Sequence, residues 1–372
     1  MTAIANLAKL LCKQGHIVTV YTTDVLDPHR PYSRYSLPSI ENLEGVTVKR
    51  YHPIFRIFGY WVTPTIFKDL MTEEFDIINA HCVRSFQFDI AALISRIRNR
   101  KLIVNPHGSL YSYGEISDRV RRLLFAAHNA ILKLVFRRAS SIVATSSEEM
   151  YQFNRFGLDR RKTVLVPNFL DETQFAKLPS GGALRNKLGI GPHEKVLLFL
   201  GRLSPIKGLD LLLPAYCRIA TKLNGVWLVM AGPDGGSLPM IQRFLKENEL
   251  SAHAVLTGPL YGSSKIQALV DSDLVVVPSY YESFGITVIE AYFCRKPVVA
   301  SNVGGLRDLV INGKNGFLFS RGKIDELVNV LEEALGKSKD LEQMGEYGQK
   351  FANDYYSFRA VENSILSLYV PY

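Results

Sequence analysis

A chain of 372 residues is longer than a typical single domain, so two domains are expected. Its 47% of apolar residues can fill two hydrophobic cores. Its 44 Lys and Arg residues against 35 Asp and Glu give a net charge of +9, which suits an anionic partner but also a merely basic soluble protein. No apolar stretch approaches the ~20 residues that cross a bilayer, and the four scattered cysteines predict reduced, mostly buried thiols, so we expect a cytoplasmic protein.

The first half of the chain predicts a helix followed by buried strands. Ala3, Leu7, Leu10 and Leu11 share one face of that opening helix. A doubly wound domain normally has a strand and a glycine-rich turn before this helix, so we expect the first strand to be missing, through truncation or an abridged fold. The strands that follow are predicted at His16–Thr22, Val46–Tyr51, Asp76–His81, Lys101–Pro106, Ser141–Thr145 and Thr163–Pro167.

The second half predicts another series of strands that alternate with helical patterns. All of these runs are rich in Val, Ile and Leu without polar alternation, which is typical of strands covered on both faces. Alternation of strands and helices predicts an α/β protein with parallel sheets. The second series is Lys195–Gly201, Val226–Ala231, Ala254–Thr257, Leu274–Pro278, Pro297–Ser301 and Gly316–Phe319.

A stretch containing Pro179-Ser-Gly-Gly182 separates the two series and predicts a linker. We predict an N-terminal domain over 1–170, a C-terminal domain over 171–354, and a helix over 355–372 that docks back on the first domain. Two doubly wound sheets in tandem would bind a ligand at the carboxyl ends of their strands, in the crevice between the domains.

Two glutamates eight positions apart, Glu282 and Glu290, follow the strand Leu274–Pro278. Glu282 lies in the predicted turn, and Glu290 lies in a helix predicted to start near Phe284. The first N–H groups of a helix lack intrahelical partners and can bind a diphosphate, which would place one carboxylate near each end of a nucleotide-sugar. Glutamates that are solvated or paired with Arg or Lys are the alternative.

Arg202 and Lys207 flank a proline-restrained turn after the first strand of the second series. Arg can bind two phosphate oxygens at once and Lys supplies a mobile point charge, so the turn predicts a diphosphate clamp. Two surface cations in an ordinary loop are the alternative. His107 ends another strand and could donate to a sugar hydroxyl, although a lone His is more often an ordinary polar residue; His81 has a weaker claim.

Two further loops are candidates to border a nucleotide base, or are plain loops: one begins at Gly232 and the other ends at Leu260. Asp271 and Asp273 imitate a pair that holds Mn²⁺ or Mg²⁺. They precede their strand, at the end opposite the crevice, so we interpret them as solvated acids. Since no other acidic cluster suits a hard cation, we predict no catalytic metal and no cofactor.

Basic and aromatic residues of the first domain indicate either peripheral contact with an anionic membrane or lipid-linked acceptor, or solvated helix faces. The sequence has no recognition-helix motif or single-strand platform, so we expect no nucleic-acid partner. The residues concerned are Ile54–Trp61, Arg96, Arg98, Arg100, Lys101, Arg119, Arg121, Arg122, Arg137 and Arg138.

Together these patterns resemble the retaining glycosyltransferases of family 4, which have a GT-B fold. The resemblance implies two Rossmann-like domains facing a cleft, and metal-independent transfer of a hexose from a UDP-, GDP- or ADP-sugar to a hydroxyl of a glycan or lipid-linked acceptor. An inactive homologue or a nucleotide-sugar-binding protein of the same fold is the alternative. The resemblance covers nearly the whole chain through Gly15–Thr23, Asp76–His81, His107-Gly108, Val166-Pro-Asn168, Gly201-Arg202, Lys207-Gly208, Glu282–Ala291, Val303-Gly-Gly305 and Asn312–Gly316.

The resemblance also implies residue roles. Arg202 and Lys207 would grip the donor diphosphate, and Glu282 would contact hydroxyls of the transferred sugar. Glu290 would bind the ribose, and His107 would touch the donor sugar at its reacting face. The amides expected beside Glu282 are those of Phe284, Gly285 and Ile286.

The sequence departs from the family pattern at two places. The first strand and its glycine-rich turn are missing, and Phe169 stands where a glycine is usual. The identities of the sugar, the nucleotide and the acceptor do not follow from the sequence.

Overall fold

The computed structural model describes residues 2–25, 37–57, 60–110, 119–336 and 338–370. They form two compact units, one of residues 1–167 with 361–372 and the other of residues 168–360. Residues 111–118, which follow His107-Gly108, lie outside the described residues. So do Phe58 and Gly59 of the aromatic segment and the side chains of Arg119, Arg121 and Arg122.

The first unit has helices on a parallel sheet and a smaller mixed sheet. Its helices are α1 (Thr2–Lys13), α2 (Thr65–Thr72), α3 (Phe86–Ile97), α4 (Arg119–Arg138) and α5 (Ser147–Phe156). Its strands are β1 (Thr19–Thr23), β2 (Ile40–Leu43), β3 (Val46–Tyr51), β4 (Phe55–Ile57), β5 (Tyr60–Val62), β6 (Ile77–His81), β7 (Lys101–Asn105), β8 (Ser141–Ala144) and β9 (Thr163–Leu165).

The strands of the first unit confirm every strand predicted for this half, although β1 begins three residues late. Strands β6, β7, β8 and β9 form a parallel sheet in that order, whereas β1 pairs in parallel with β3 and β3 pairs antiparallel with β2. Leu102, Ile103 and Val104 of β7 are all buried, which is why this strand shows no polar alternation. The short strand β2 and the hairpin β4–β5 were not predicted.

The second unit is one six-stranded parallel sheet with helices between its strands. Its helices are α6 (Ala183–Leu188), α7 (Leu209–Lys222), α8 (Leu238–Glu247), α9 (Gly262–Asp271), α10 (Ile286–Phe293), α11 (Leu306–Leu309), α12 (Ile324–Gly336) and α13 (Ser338–Tyr356). Its strands are β10 (Lys195–Leu200), β11 (Val226–Ala231), β12 (Ala254–Gly258), β13 (Leu274–Val277), β14 (Val298–Ser301) and β15 (Gly316–Phe319). All six were predicted.

The strand order of the second unit, β12-β11-β10-β13-β14-β15, creates a switch point between β10 and β13. From β10 the chain first builds the sheet towards β12, then returns and builds it on the other side from β13 to β15. The loops that leave β10 and β13 therefore run to opposite faces, and ligands of doubly wound sheets bind in the crevice that opens there.

The C-terminal segment predicted as one helix over 355–372 is interrupted. Helix α13 ends at Tyr356, and α14 (Phe358–Leu366) follows after Ser357, which bridges to Leu170. Residues 361–372 belong to the first unit, where Lys101 Nζ donates to the carbonyl of Val370 at 2.8 Å.

The structure bears on two expectations from composition, the burial of the cysteines and the lack of a membrane-spanning segment. Cys294 is buried, but Cys12 and Cys217 are half-buried and Cys82 is exposed, so the prediction of mostly buried thiols is wrong. Within the described residues, no helix has both the length and the apolar character to cross a membrane.

Candidate functional site

Three turns at the carboxyl edge of the second sheet interlock through glycines. A Cβ on Gly208 (φ +70°) would lie 1.9 Å from the carbonyl oxygen of Pro278. A Cβ on Gly304 (φ +49°) would lie 2.0 Å from the carbonyl oxygen of Glu282, and the Gly305 amide donates to that oxygen at 2.9 Å. The turn after β13 is thus clamped by the turns after β10 and β14, and residues without a side chain are required for this approach.

Lys207 and Glu282 meet in an ion pair between the turns after β10 and β13. Their side chains are only 26% and 18% exposed. Ser279 Oγ also lies 3.5 Å from the Glu282 carboxylate. Arg202 stands exposed on the same turn as Lys207, with its stem against Gly235. The structure therefore places the predicted clamp residues and the first glutamate at the switch point.

Glu290 lies in the second turn of α10 and not at the open end of the helix. The helix begins two residues later than predicted, at Ile286, because Gly285 takes a left-handed conformation (φ +112°) as its cap. Glu290 is 4% exposed and pairs with Lys265 of α9. Burial raises the pKa of Glu290, and the Lys265 ammonium opposes that shift.

Glu282 and Glu290 are therefore both paired with a lysine, which was the alternative interpretation of these residues in the sequence. The amides predicted beside Glu282 lie where α10 begins: Phe284 is buried in the core, Gly285 is the cap and Ile286 is the first helical residue. The first N–H groups of a helix have no intrahelical acceptor, so this end of α10 can receive hydrogen-bond acceptors.

The two loops predicted to border a base lie on the same edge of the sheet as Arg202. Gly232 donates its amide to the carbonyl of Gly258 at 2.9 Å, and a Cβ on Gly232 would meet the Gly201 carbonyl oxygen at 1.8 Å. Leu260 follows β12 and is half-buried against the core of the unit.

His107 lies in the first unit, at the carboxyl end of β7, and contacts His81 at the end of the neighbouring strand β6. His81 Nδ1 lies 2.8 Å from His107 Nε2, and the two rings stack with centroids 5.1 Å apart. Desolvation by burial lowers the pKa of His81 to about 3 and the pKa of His107 to about 4, so both rings are neutral at pH 7. His81, the weaker site candidate in the sequence, is thus in direct contact with His107, the stronger one.

Glu149 is a buried acid behind the His107 turn and was not predicted from the sequence. Its carboxylate accepts from the Gly108 amide at 2.5 Å and from the Thr145 amide at 2.8 Å. The spacing of Ser146 and Glu149 resembles a helix-capping signal, so the sequence could have located the helix start but not this long-range contact.

The interpretation of Asp271 and Asp273 as solvated acids is wrong. Asp271 is 3% exposed and accepts from the amides of Gly182 and Leu184, at the start of α6. Asp273 pairs with Arg185 at 2.6 Å and accepts from the Val196 amide at 2.8 Å. Both acids anchor the segment that leads into β10. Within the described residues no group of three His, Cys, Asp or Glu side chains is arranged for a metal ion.

The basic residues of the first unit divide between paired and exposed positions. Arg98 and Arg100 both pair with Glu74, which is 80% exposed, but the Arg98 side chain is only 14% exposed and also donates to the carbonyl of Leu70. Arg96, Arg137 and Arg138 are exposed. On the hairpin β4–β5, Ile54 and Phe55 are 61% and 45% exposed.

Two family matches cover most of the chain. Residues 2–174 match the family described as Glycosyltransferase Family 4, and residues 182–351 match the Glycosyl transferases group 1. The boundary between the two matches falls in the segment that precedes α6.

Relatives with a described activity match part of the chain. The D-inositol 3-phosphate glycosyltransferase of Rhodococcus jostii is 30% identical over 63% of this chain and 53% of its own length. The protein of the same description from Kineococcus radiotolerans is 33% identical over 49% of this chain and 44% of its own length. The matched region thus spans about half of these relatives.

Solved structures match nearly the whole chain. Sucrose-phosphate synthase from Thermosynechococcus elongatus gives a TM-score of 0.78 at 21% identity, over 98% of this chain and 91% of its own. Anabaena HepE in complex with UDP and glucose gives 0.76 at 23% identity, over 99% of this chain and 95% of its own. At such identities the likeness concerns the fold, and it confirms the predicted GT-B class with Rossmann-like domains.

Proposed function

This chain belongs to the family 4, group 1 glycosyltransferases, and on that premise we propose that it transfers a hexose from a nucleoside-diphosphate sugar to a hydroxyl acceptor. The transfer retains the anomeric configuration and needs no metal ion. The solved relative Anabaena HepE has been crystallised with UDP-glucose, which supports a nucleotide-sugar as donor class.

The ion pair of Lys207 with Glu282 carries this proposal. It joins the turns after β10 and β13, where a doubly wound sheet binds its ligand. A donor that binds here breaks this ion pair. Its diphosphate then pairs with Lys207, and its sugar hydroxyls donate to the Glu282 carboxylate. Arg202, on the same turn as Lys207, adds a second cation for the phosphate oxygens.

The chemistry follows from where charge develops. As the bond between the anomeric carbon and the phosphate oxygen breaks, the sugar ring becomes positive and the phosphate becomes more negative. Arg202, Lys207 and the amides at the start of α10 stabilise the departing phosphate electrostatically. The acceptor oxygen attacks from the face that the phosphate leaves, and a phosphate oxygen takes the acceptor proton. Glu282 orients the sugar by binding its hydroxyls.

Donor binding is tested first by thermal shift with UDP-, GDP- and ADP-sugars, followed by transfer assays with the donor that stabilises the protein. We expect Glu282→Ala to abolish transfer while nucleotide binding persists. Glu332→Ala is a matched control, because Glu332 also pairs with a lysine of the second unit, Lys222, but on the solvated surface. Wild-type turnover of Glu282→Ala would refute the assigned role.

The remaining parts of the proposal have their own readouts. The anomeric proton coupling of the product distinguishes retention from inversion, and full activity in a chelator supports metal independence. Binding of a sugar nucleotide without turnover of any acceptor would instead identify a nucleotide-sugar-binding protein of the same fold.

The acceptor is proposed to be a glycan or a lipid-linked molecule, and the exposed side chains of the hairpin β4–β5 support a peripheral membrane contact. Ile54 and Phe55 present apolar surface next to Arg56, which stacks 4.7 Å from the Trp61 ring. Ile54→Ser with Phe55→Ser should weaken co-sedimentation with anionic vesicles. Equal co-sedimentation of this variant and the wild type would count against the membrane contact.

A further inference from the structure

The carboxylate of Glu149 ties together the ends of two neighbouring strands. Glu149 is the third residue of α5 and is fully buried. One of its oxygens accepts from the Gly108 amide at 2.5 Å, after β7. The other accepts from the amide of Thr145 at 2.8 Å and from its hydroxyl at 2.7 Å, after β8.

This arrangement differs from ordinary helix capping. A glutamate at the third helical position usually bonds back to the amide of the capping residue, here Ser146. In this structure the carboxylate instead reaches a turn 41 positions earlier in the chain. The first turn of α5 favours a negative side chain through the helix dipole, which helps to keep a buried acid at this place.

The turn that Glu149 holds is an unfavourable one for the chain. His107 and Gly108 both take left-handed conformations, with φ of +51° and +74°. Of these two residues, His107 has the less favourable backbone conformation, because a non-glycine residue rarely adopts this region. The bond from Glu149 to the Gly108 amide fixes the turn from inside, and the turn aims the His107 ring at His81.

We propose that Glu149 is a positioning residue that fixes the His107-Gly108 turn and thereby sets the place of the His107 ring for sugar transfer. This inference rests on the proposed function for its kinetic part, since His107 is the predicted contact to the donor sugar. Its structural part concerns the first unit alone.

Glu149→Gln is the informative change. The amide NH₂ of glutamine cannot accept a hydrogen bond, so either Gly108 or Thr145 loses the acceptor for its amide. Glu148→Gln is the matched control, because it removes the same charge one position earlier, from a half-buried side chain that contacts Gln152. Glu149→Asp keeps both acceptor oxygens on a shorter arm and serves if Glu149→Gln does not fold.

Hydrogen exchange tests the structural part without any donor. The amide that loses its acceptor in Glu149→Gln, that of Gly108 or that of Thr145, should exchange at least about 10-fold faster than in the wild type. Both amides should stay protected in Glu148→Gln, and Glu149→Asp should have an intermediate effect. Unchanged protection of both amides in both Glu149 variants would overturn the inference, whatever the enzyme assays show.

A double-mutant cycle tests the kinetic part. We expect Glu149→Gln to lower kcat/KM by about 10- to 100-fold and to leave the affinity for the free nucleotide unchanged. On a His107→Ala background the same change should have less than about a 3-fold effect, because the two residues act as one unit. Full multiplication of the two effects would reject positioning through His107. If the wild type transfers no sugar while amide exchange responds to the Glu149 variants as expected, the proposed function fails and the structural part stands.

Discussion

Replacing Lys265 by methionine should destabilise the second unit in a way that grows with pH. The change removes the cation that faces the Glu290 carboxylate, whose side chain is 6% exposed. A buried carboxylate without a partner is unfavourable, so Glu290 of the variant should take up a proton in the folded state. Its folded-state pKa then lies above the unfolded value, and the variant loses stability as pH rises above that unfolded value.

Proton uptake by Glu290 limits how much free energy of unfolding the Lys265→Met variant can lose. The ordinary carboxyl pKa of 4.5 lies two and a half units below pH 7, and each unit corresponds to about 1.36 kcal/mol, so the ceiling is about 3.4 kcal/mol at pH 7. At pH 5 the ceiling is only about 0.7 kcal/mol. Because water reaches the 24% exposed Lys265 side chain, we expect about 2 kcal/mol at pH 7.

Thermal unfolding at pH 5 and pH 7 measures this difference. For a unit of this size, about 2 kcal/mol corresponds to a fall in Tm of about 4–8 °C at pH 7, with about 1–3 °C at pH 5. Lys222→Met is the control, since Lys222 pairs with Glu332 at 55% exposure and should change Tm by little at either pH. Adding Glu290→Gln to Lys265→Met should remove the pH dependence. A fall in Tm that is equal at both pH values, or larger at pH 5, would show that proton uptake by Glu290 is not the cause.

Two further substitutions and one titration test other contacts. Gly304→Ala should displace the turn that carries Glu282 and lower transfer at least about 10-fold, measured as kcat/KM, since its Cβ would lie 2.0 Å from a carbonyl oxygen. His81 and His107 should stay neutral between pH 5 and 8 in NMR titrations; because their folded-state pKa values are depressed, the stability they support is lost as pH falls below about 6.5. Asp271→Asn should cost about 1–3 kcal/mol in urea unfolding, because one amide at the start of α6 loses its acceptor.

Local sequence patterns predicted every strand of the four-stranded and six-stranded parallel sheets, and the turns that carry Arg202, Lys207 and Glu282. Buried parallel strands are continuous runs of Val, Ile and Leu, so they are visible without any knowledge of their neighbours. The hairpin β4–β5 was not predicted, because its two strands, Phe-Arg-Ile and Tyr-Trp-Val, contain no continuous run of Val, Ile and Leu.

Local sequence patterns did not show which charged groups are buried or which partner each of them has. Glu290 was placed at the correct helix, yet its lysine comes from α9, 25 positions earlier. Asp271 was interpreted as solvated because its acceptor role depends on amides 87 to 89 positions away. Glu149 gave no functional signal, since its partner at Gly108 lies on another strand. Local sequence patterns indicate which face of a segment is buried. The ion pairs and hydrogen bonds of a charged side chain depend instead on which distant segments the fold brings together.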